Sequence, residues 1–246
     1  SAKTLGADYI ATGHYANVEK INDKFILKKG KDIKKDQTYM LYTLTQNQLK
    51  YVLMPCGKYT KDQVREIAKN IGMDIHNKKD SEEICFVPDG NHGKFISEIK
   101  NIEEGNFVDK SGKVLGRHKG IVYYTIGQRK GLNLSLGKPA YVIEIRPKAN
   151  EIVIGDEEDI FFKNVIIDNV NIISGENFED SFDVKAKVRY QAKPCDAKIF
   201  RIDDNKIKVV FNEPQRAMTK GQSLVFYDGD IVVGGGIIRE YFWKYI

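Results

Sequence analysis

The hydrophobic pattern of this chain changes near Gly105, and no other feature limits the possible folds as much. Before Gly105, apolar residues recur at helical spacing, most clearly between Val64 and Ile71. After Gly105 that spacing disappears, and alternating apolar segments bounded by Gly, Asp-Asn and Lys-Pro continue to the end of the chain. The pattern predicts an α/β segment followed by β-rich domains.

Two β-rich domains are predicted after this change, the first a small sheet over residues 105–155. The second contains six alternating apolar segments, which predict strands at residues 165–170, 184–190, 197–202, 206–211, 222–227 and 231–239. Six strands in so short a stretch favour a closed barrel or a sandwich, because an open sheet would leave edges to protect. We therefore predict three domains, over residues 1–100, 101–160 and 161–246, the last a β-barrel.

Local signals divide the first hundred residues into short elements. A strand is predicted over residues 8–12 and a hairpin over residues 16–29. The acidic Asp36 is expected to cap a short helix that follows it. Thr60 and Gln63 have the spacing of a capping box, which predicts the start of a longer helix.

Composition narrows the class of protein. With 41% hydrophobic residues among 246, the chain can bury sizeable cores. No apolar run approaches the roughly 18 residues of a membrane helix, so we expect no membrane partner. The chain has three cysteines, Cys56, Cys85 and Cys195. Their odd number and wide spacing fit neither a disulfide framework nor a paired-cysteine zinc site. We expect a reducing cytoplasm as the setting and no metal-ligand cluster.

Positive charge is concentrated in two parts of the chain. The net charge is +5, whereas residues 1–80 carry 15 Lys and Arg against 9 Asp and Glu, and residues 113–148 carry 8 against 1. Two separated basic segments suit a large polyanion such as a nucleic acid better than one small phosphate ligand. A solvated basic surface without a partner remains the alternative.

Short motifs suggest contacts with a nucleotide or with RNA. Gly13 and His14 follow a predicted strand, where the backbone can approach a ligand, although a plain turn would have the same sequence. Residues 34–37 place lysines at a helix start, where backbone N–H groups favour phosphate. Residues 124–131 and 187–191 interleave aromatic rings with Arg and Lys, a pairing that binds RNA or marks an exposed strand.

Cys85 lies where the polar residues 79–83 meet an apolar Phe-Val-Pro segment. A thiol attacks as the thiolate, which the neighbouring lysines favour and the two glutamates oppose. From its neighbours alone, a small buried hydrophobe is the more common role of such a cysteine.

These motifs occur together in one family. In chain order they are ATGHYA (11–16), KDQTY (35–39), KDSEEICF (79–86), TIGQRKG (125–131), GQ (221–222) and FYDG (226–229). In order and spacing the chain resembles the MnmA family of tRNA-specific 2-thiouridylases over residues 3–240. The combination of DSxxICF with GQRKG makes the resemblance specific.

The resemblance implies ATP-dependent 2-thiolation of the wobble uridine of tRNA, position 34. The uridine C2 oxygen is adenylated, a cysteine persulfide delivers sulfur to the activated carbon, and a second cysteine resolves the bond through a disulfide. Expected cofactors and partners are ATP with Mg²⁺, tRNAs of the Glu, Gln and Lys type, and a cysteine desulfurase or sulfur-relay protein. The implied fold is part of a PP-loop ATP-pyrophosphatase domain, a central β domain and a tRNA-binding barrel.

The resemblance also implies roles for individual residues. Cys85 matches the persulfide-bearing cysteine, and Gly13 matches a glycine that contacts ATP. The positions that match tRNA contacts are His14, Lys35, Asp36, Gln37, Arg189, Tyr190 and Gln222.

The chain departs from the family pattern in two motifs. It contains no SGGxDS pyrophosphate-binding motif and no upstream nucleophilic cysteine, and neither Cys56 nor Cys195 has a matching context. We therefore expect a truncated chain that is inactive by itself, with disorder at residues 78–91 and least stability in residues 1–75. Two alternatives stay open: a different ATP-pyrophosphatase, which would not need Cys85, and a non-catalytic RNA-binding module.

Overall fold

The computed structural model of the chain describes residues 2–73, 92–99, 101–175 and 181–242. Cys85 and the loop expected at 78–91 lie outside these residues. The chain divides into two compact units. The barrel unit comprises residues 1–78, 163–213 and 220–246, and the central unit comprises residues 79–162 and 214–219.

The barrel unit begins with short elements: β1 (Ile10–Ala11), β2 (Ala16–Ile21), β3 (Lys24–Lys29), α1 (Thr38–Leu41), α2 (Gln46–Leu49), β4 (Val52–Leu53), α3 (Lys61–Asn70), and 3₁₀ helices at Ala2–Leu5, Ile33–Lys35 and Pro55–Lys58. β1 and β4 form a parallel pair, and β2 and β3 form the predicted hairpin. Its turn residues Asn22 and Asp23 have φ of 45° and 62°, the left-handed conformation that a tight hairpin turn requires.

The predicted start of α3 is confirmed. The Thr60 hydroxyl accepts a hydrogen bond from the Gln63 amide at 3.3 Å, and the Gln63 side chain accepts one from the Thr60 amide at 3.0 Å. Together these two bonds satisfy amides that the first helical turn leaves without partners.

The expected acidic cap of α1 is wrong by one residue. Gln37 occupies the N-cap position and makes no side-chain capping bond. The Asp36 carboxylate instead accepts hydrogen bonds from the Thr38 hydroxyl at 2.6 Å and the Gly30 amide at 3.2 Å. The Asp36 carboxylate therefore fixes the loop before α1 and does not cap the helix.

The central unit contains α4 (His92–Ile99), β5 (Gly105–Val108), β6 (Val114–His118), β7 (Tyr141–Arg146), β8 (Glu151–Gly155), and 3₁₀ helices at Ile121–Tyr123 and Glu157–Ile160. The four strands form one sheet in the order β6-β5-β8-β7. Phe107, Val142 and Ile152 are fully buried in its core. Residues 124–131 form a loop with turns, not the exposed strand considered as an alternative, and Gly127 and Gly131 in it have φ of 83° and 75°.

The remaining strands of the barrel unit are β9 (Phe161–Asn171), β10 (Ser181–Lys187), β11 (Cys195–Arg201), β12 (Ile207–Arg216), β13 (Ser223–Asp228) and β14 (Ile231–Phe242). They pair in the order β13-β10-β11-β12-β9-β14, and pairing of β13 with β14 closes the barrel. All six predicted strands are present, and the closed barrel confirms the predicted fold class. β10 ends at Lys187, so residues 188–190 of the predicted strand belong to the following turn.

The β2–β3 hairpin is joined to the barrel. β3 pairs with β14 at Lys28 and Ile231, so the barrel sheet continues into the hairpin. One core combines residues of the N-terminal segment with residues of the barrel. The former are Ala16, Leu27, Tyr39, Tyr42, Leu49 and Met54, and the latter are Ile173, just after β9, with Val225, Tyr227 and Val232 of β13 and β14. The three-domain division drawn from sequence stays a prediction.

Candidate nucleic-acid interface

Two of the stretches expected to contact tRNA meet in the barrel unit. The Tyr190 hydroxyl donates a hydrogen bond to the backbone carbonyl of Asp36 at 3.1 Å, across 154 positions of sequence. Arg189 and Tyr190 lie in the turn between β10 and β11, and both side chains are exposed, Tyr190 by 42%. The fold therefore presents Asp36, Arg189 and Tyr190 on one surface.

Lys35 and Asp36 are suited to different tasks on this surface. Lys35 ends the 3₁₀ helix Ile33–Lys35 and contributes a positive charge. Both oxygens of the Asp36 carboxylate accept hydrogen bonds from the chain itself. A carboxylate repels phosphate, so the Asp36 carboxylate is suited to fixing the loop, whereas a contact of Lys35 with phosphate stays a prediction. α1 has only four residues, so its dipole adds little to that attraction.

Gln37 connects this loop to the segment that contains His14. The Tyr15 amide donates to Gln37 Oε1 at 2.9 Å, and the Gln37 amide donates to the Tyr15 carbonyl at 3.1 Å. His14, the residue before Tyr15, pairs its Nδ1 with the Thr12 hydroxyl at 2.9 Å. These bonds bring His14 close to the Asp36 loop, although the two are distant in sequence.

Gly13 lies just beyond β1, at the carboxyl end of a parallel strand pair. The Thr12 amide extends that pairing by donating to the Leu53 carbonyl at 2.9 Å. Gly13 is exposed, and a Cβ built on it would meet no other atom within 4 Å. Gly13 therefore leaves open space at the carboxyl end of a strand, where α/β domains bind nucleotides, and its contact with ATP stays a prediction.

Gln222 lies at the same end of the barrel as the Arg189–Tyr190 turn. β10 and β13 run antiparallel with Lys187 opposite Val225, so the end of β10 adjoins the start of β13. The Ser223 carbonyl, next to Gln222, accepts a hydrogen bond from the Tyr39 hydroxyl at 2.6 Å. The Gln222 side chain is exposed. The seven residues expected to contact tRNA thus lie in one unit, and their contact with tRNA stays a prediction.

Three tyrosines beneath this surface were not among the site residues predicted from sequence. Tyr39 and Tyr42, three residues apart around α1, are buried, and both hydroxyls hydrogen-bond to Ser223. Tyr227 of β13 is buried below them, with its hydroxyl 3.4 Å from that of Thr38. Burial raises the pKa of both Tyr39 and Tyr227, so these hydroxyls stay protonated at physiological pH. Their i, i+3 spacing was the available signal for Tyr39 and Tyr42.

A second basic surface belongs to the central unit. The GQRKG motif is held by its own glutamine: Gln128 accepts from the Thr125 amide at 3.0 Å and donates to the Lys130 carbonyl at 2.9 Å. Arg129 and Lys130 are exposed beside it. Binding of RNA by this loop stays a prediction.

The two cysteines within the described residues, Cys56 and Cys195, are free thiols and half-buried. Neither has the context expected of a sulfur carrier.

Among the described ranges, no group of three or more His, Cys, Asp or Glu side chains could hold a metal ion. No helix in the same ranges is long and apolar enough to cross a membrane.

Three family models match consecutive parts of the chain. Residues 1–89 match a tRNA methyl transferase HUP domain, residues 93–156 a tRNA methyl transferase PRC-barrel domain, and residues 162–238 an aminomethyltransferase beta-barrel domain. Their order agrees with the predicted α/β segment followed by two β-rich domains.

Relatives similar to the whole chain carry one name. A protein of Clostridium botulinum strain Hall, named tRNA-specific 2-thiouridylase MnmA 2, is 59% identical over 98% of this chain and 69% of its own length. The MnmA proteins of Clostridium beijerinckii and Clostridium perfringens are each 58% identical over 97% of this chain and 67% of their length. The chain thus spans about two thirds of these relatives and belongs to the MnmA family of tRNA-specific 2-thiouridylases.

Proposed function

We propose that this chain acts in the ATP-dependent 2-thiolation of uridine 34 in tRNA and that the surface around Asp36 and Tyr190 binds the tRNA. The observation that carries the proposal is the hydrogen bond from the Tyr190 hydroxyl to the Asp36 carbonyl. It joins two stretches that match tRNA contacts in the family. The names of the relatives support the reaction type.

The proposed chemistry requires activation and sulfur transfer. The C2 oxygen of uridine is a poor leaving group until it is adenylated at the expense of ATP, with release of pyrophosphate. A Cys85 persulfide then attacks C2 through its terminal sulfur, and AMP leaves with the former C2 oxygen. A second thiol attacks the Cys85 sulfur, which leaves the transferred sulfur on the uridine and a disulfide on the protein.

The described residues have supporting tasks in this scheme. Gly13 leaves room for ATP at the end of β1. His14 is oriented by the Thr12 hydroxyl and lies next to the Tyr15–Gln37 pairing. We propose that His14 approaches the target nucleotide, whereas Lys35 and Arg189 contact backbone phosphates. Mg²⁺ would accompany the ATP.

The proposed partners are tRNAs of the Glu, Gln and Lys type and a cysteine desulfurase or sulfur-relay protein. We propose the cytoplasm as the place where they interact.

We expect the 246-residue chain by itself to form no 2-thiouridine, since its sequence has neither the SGGxDS motif nor a second cysteine in a matching context. Incubation with ATP, a sulfur donor and tRNA, followed by nucleoside mass spectrometry, tests this. Appreciable 2-thiouridine would contradict the expected inactivity.

The role of Cys85 is tested by mass spectrometry after incubation with a cysteine desulfurase and cysteine. We expect an added mass of about 32 daltons, one sulfur atom, on the peptide that contains Cys85. Cys195→Ser is the matched control and should keep the adduct, whereas Cys85→Ser should lose it. Binding of tRNA with no adduct on Cys85 would favour a non-catalytic RNA-binding module.

A further inference from the structure

A cavity of about 330 Å³ opens beside the candidate interface, within the barrel unit. Its lining includes Lys29, Lys34, Asp36, Lys187, Tyr190 and Tyr227. None of the three lysines is among the positions that match tRNA contacts in the family. The cavity therefore adds positive charge to this surface that the resemblance does not explain.

The cavity has an excess of cations. Asp36 supplies the carboxylate in the cavity lining, and both oxygens of that carboxylate accept hydrogen bonds from the chain. Lys29 is compensated elsewhere, because its ammonium donates to the Gly229 carbonyl at 2.7 Å and lies 3.7 Å from the Asp230 carboxylate. Lys34 is exposed at the rim. Lys187 is half-buried, so water screens its charge less than it screens that of Lys34.

Lys187 is held by aromatic rings rather than by an ion pair. Its Nζ lies 5.7 Å from the centre of the Tyr39 ring and 5.6 Å from that of Tyr190. The ion pairs found among the described residues do not include Lys187. Desolvation lowers the pKa of its ammonium, Lys29 adds to this shift and Asp36 opposes it. A half-buried cation costs free energy that an anion in the cavity would recover.

The size and position of the cavity define the anion. Its volume lies at the small end of ligand sites, enough for a phosphate with its sugar. Tyr190 lines the cavity and also belongs to the exposed turn with Arg189. An RNA strand that follows this surface would therefore pass the cavity mouth.

We propose that this cavity binds one phosphodiester group of the tRNA backbone and that the Lys187 ammonium is its main contact. Lys34 assists from the rim, while the Tyr39 and Tyr190 rings position Lys187. The inference rests on the proposed binding of tRNA by this surface.

The experiment compares Lys187→Gln with Lys185→Gln in the full chain. Lys185 lies two residues earlier on the same outer face of β10, but its ammonium pairs with Asp196 at 2.7 Å outside this cavity. The probe is an unmodified tRNA transcript with uridine at the wobble position, and affinity is measured over a salt series. We expect Lys187→Gln to weaken binding about tenfold and to reduce the slope of log affinity against log salt by about 1. Lys185→Gln should change affinity less than about twofold.

The outcomes separate this inference from the proposed function. If the unsubstituted chain binds no tRNA even at low salt, the proposed function fails. If that chain binds but Lys187→Gln matches Lys185→Gln in affinity and slope, the cavity inference alone fails. Lys187→Arg should retain the slope because it keeps the charge. If Lys187→Gln does not fold, Lys34→Gln at the exposed rim tests the cavity inference in its place. We expect Lys34→Gln to lower the affinity for tRNA about threefold, and an unchanged affinity would contradict the inference.

Discussion

Two regions within the first 73 residues differ in how they are stabilised. From Tyr15 to Gly57 the chain shares a core with the barrel, and Leu27 there is fully buried. Outside that segment, β1 and α3 expose apolar side chains, with Ile10 of β1 exposed by 46% and Ile67 of α3 by 42%. α3 buries none of its residues. Periodic apolar spacing thus predicts which face of an element is apolar but not whether that face has a partner.

The difference matters for the candidate interface. The Asp36 loop and Gln37 belong to the region that is packed on the barrel, which gives the surface a rigid base. Gly13 and His14 lie at the border with the exposed region. The prediction that residues 1–75 form the least stable region stays untested. Because residues 15–57 share the barrel core, we expect the lowest stability within that region at β1 and α3.

The largest expected effect comes from truncating the shared core. Leu27→Ala should lower the free energy of unfolding by about 2–5 kcal/mol, because it leaves a cavity between the hairpin and the barrel. Ile10→Ala, at a half-exposed position, should cost less than about 1 kcal/mol. Urea unfolding of both variants measures the difference. Equal losses would show that the two regions are stabilised alike.

A pair of glycines tests the same contrast at the backbone. A Cβ on Gly57 would lie 2.6 Å from Asn17 Oδ1 and would overlap the Ala16 carbonyl, so Gly57→Ala should cost about 1–3 kcal/mol. Gly13 has open space, and Gly13→Ala should change stability by less than about 0.5 kcal/mol. Thermal midpoints of the two variants provide the check. A midpoint for Gly57→Ala as high as that of the unsubstituted chain would refute close packing of the hairpin against Gly57.

Two capping boxes give a smaller but more local comparison. Thr45 caps α2, which buries Leu49 in the shared core, and Thr60 caps α3, which buries nothing. Replacement of either by Ala should cost its helix about 1 kcal/mol. We expect Thr45→Ala to lower global stability in urea and Thr60→Ala to speed hydrogen exchange in α3 alone. A global loss from Thr60→Ala would mean that α3 unfolds together with the barrel.

Much of the fold follows from local sequence signals. The hairpin turn, the Thr60 capping box and the six barrel strands could all be predicted, because each depends on residues close together in the chain. The attachment of the hairpin to the barrel could not, since β3 meets β14 across about 200 positions and neither strand encodes its partner. The prediction that Asp36 caps α1 was wrong, because its carboxylate accepts hydrogen bonds from the Thr38 hydroxyl and the Gly30 amide instead.

The candidate interface shows the same limit. The resemblance identifies Asp36 and Tyr190 separately, but the hydrogen bond between them depends on long-range packing. Two further contacts also become visible only in three dimensions. Lys29 is compensated by Gly229 and Asp230, whereas Lys187 contacts aromatic rings and forms no ion pair within the described part of the chain.

Hydrogen exchange with and without saturating tRNA tests most directly whether the distant stretches form one RNA-binding surface. We predict that amides of residues 33–37 and 189–192 slow together when tRNA binds. The turn at residues 203–206 joins β11 to β12 at the opposite end of the barrel, contains Lys206, and should be unchanged. Protection of only one of the two stretches, or equal protection at 203–206, would contradict a shared surface.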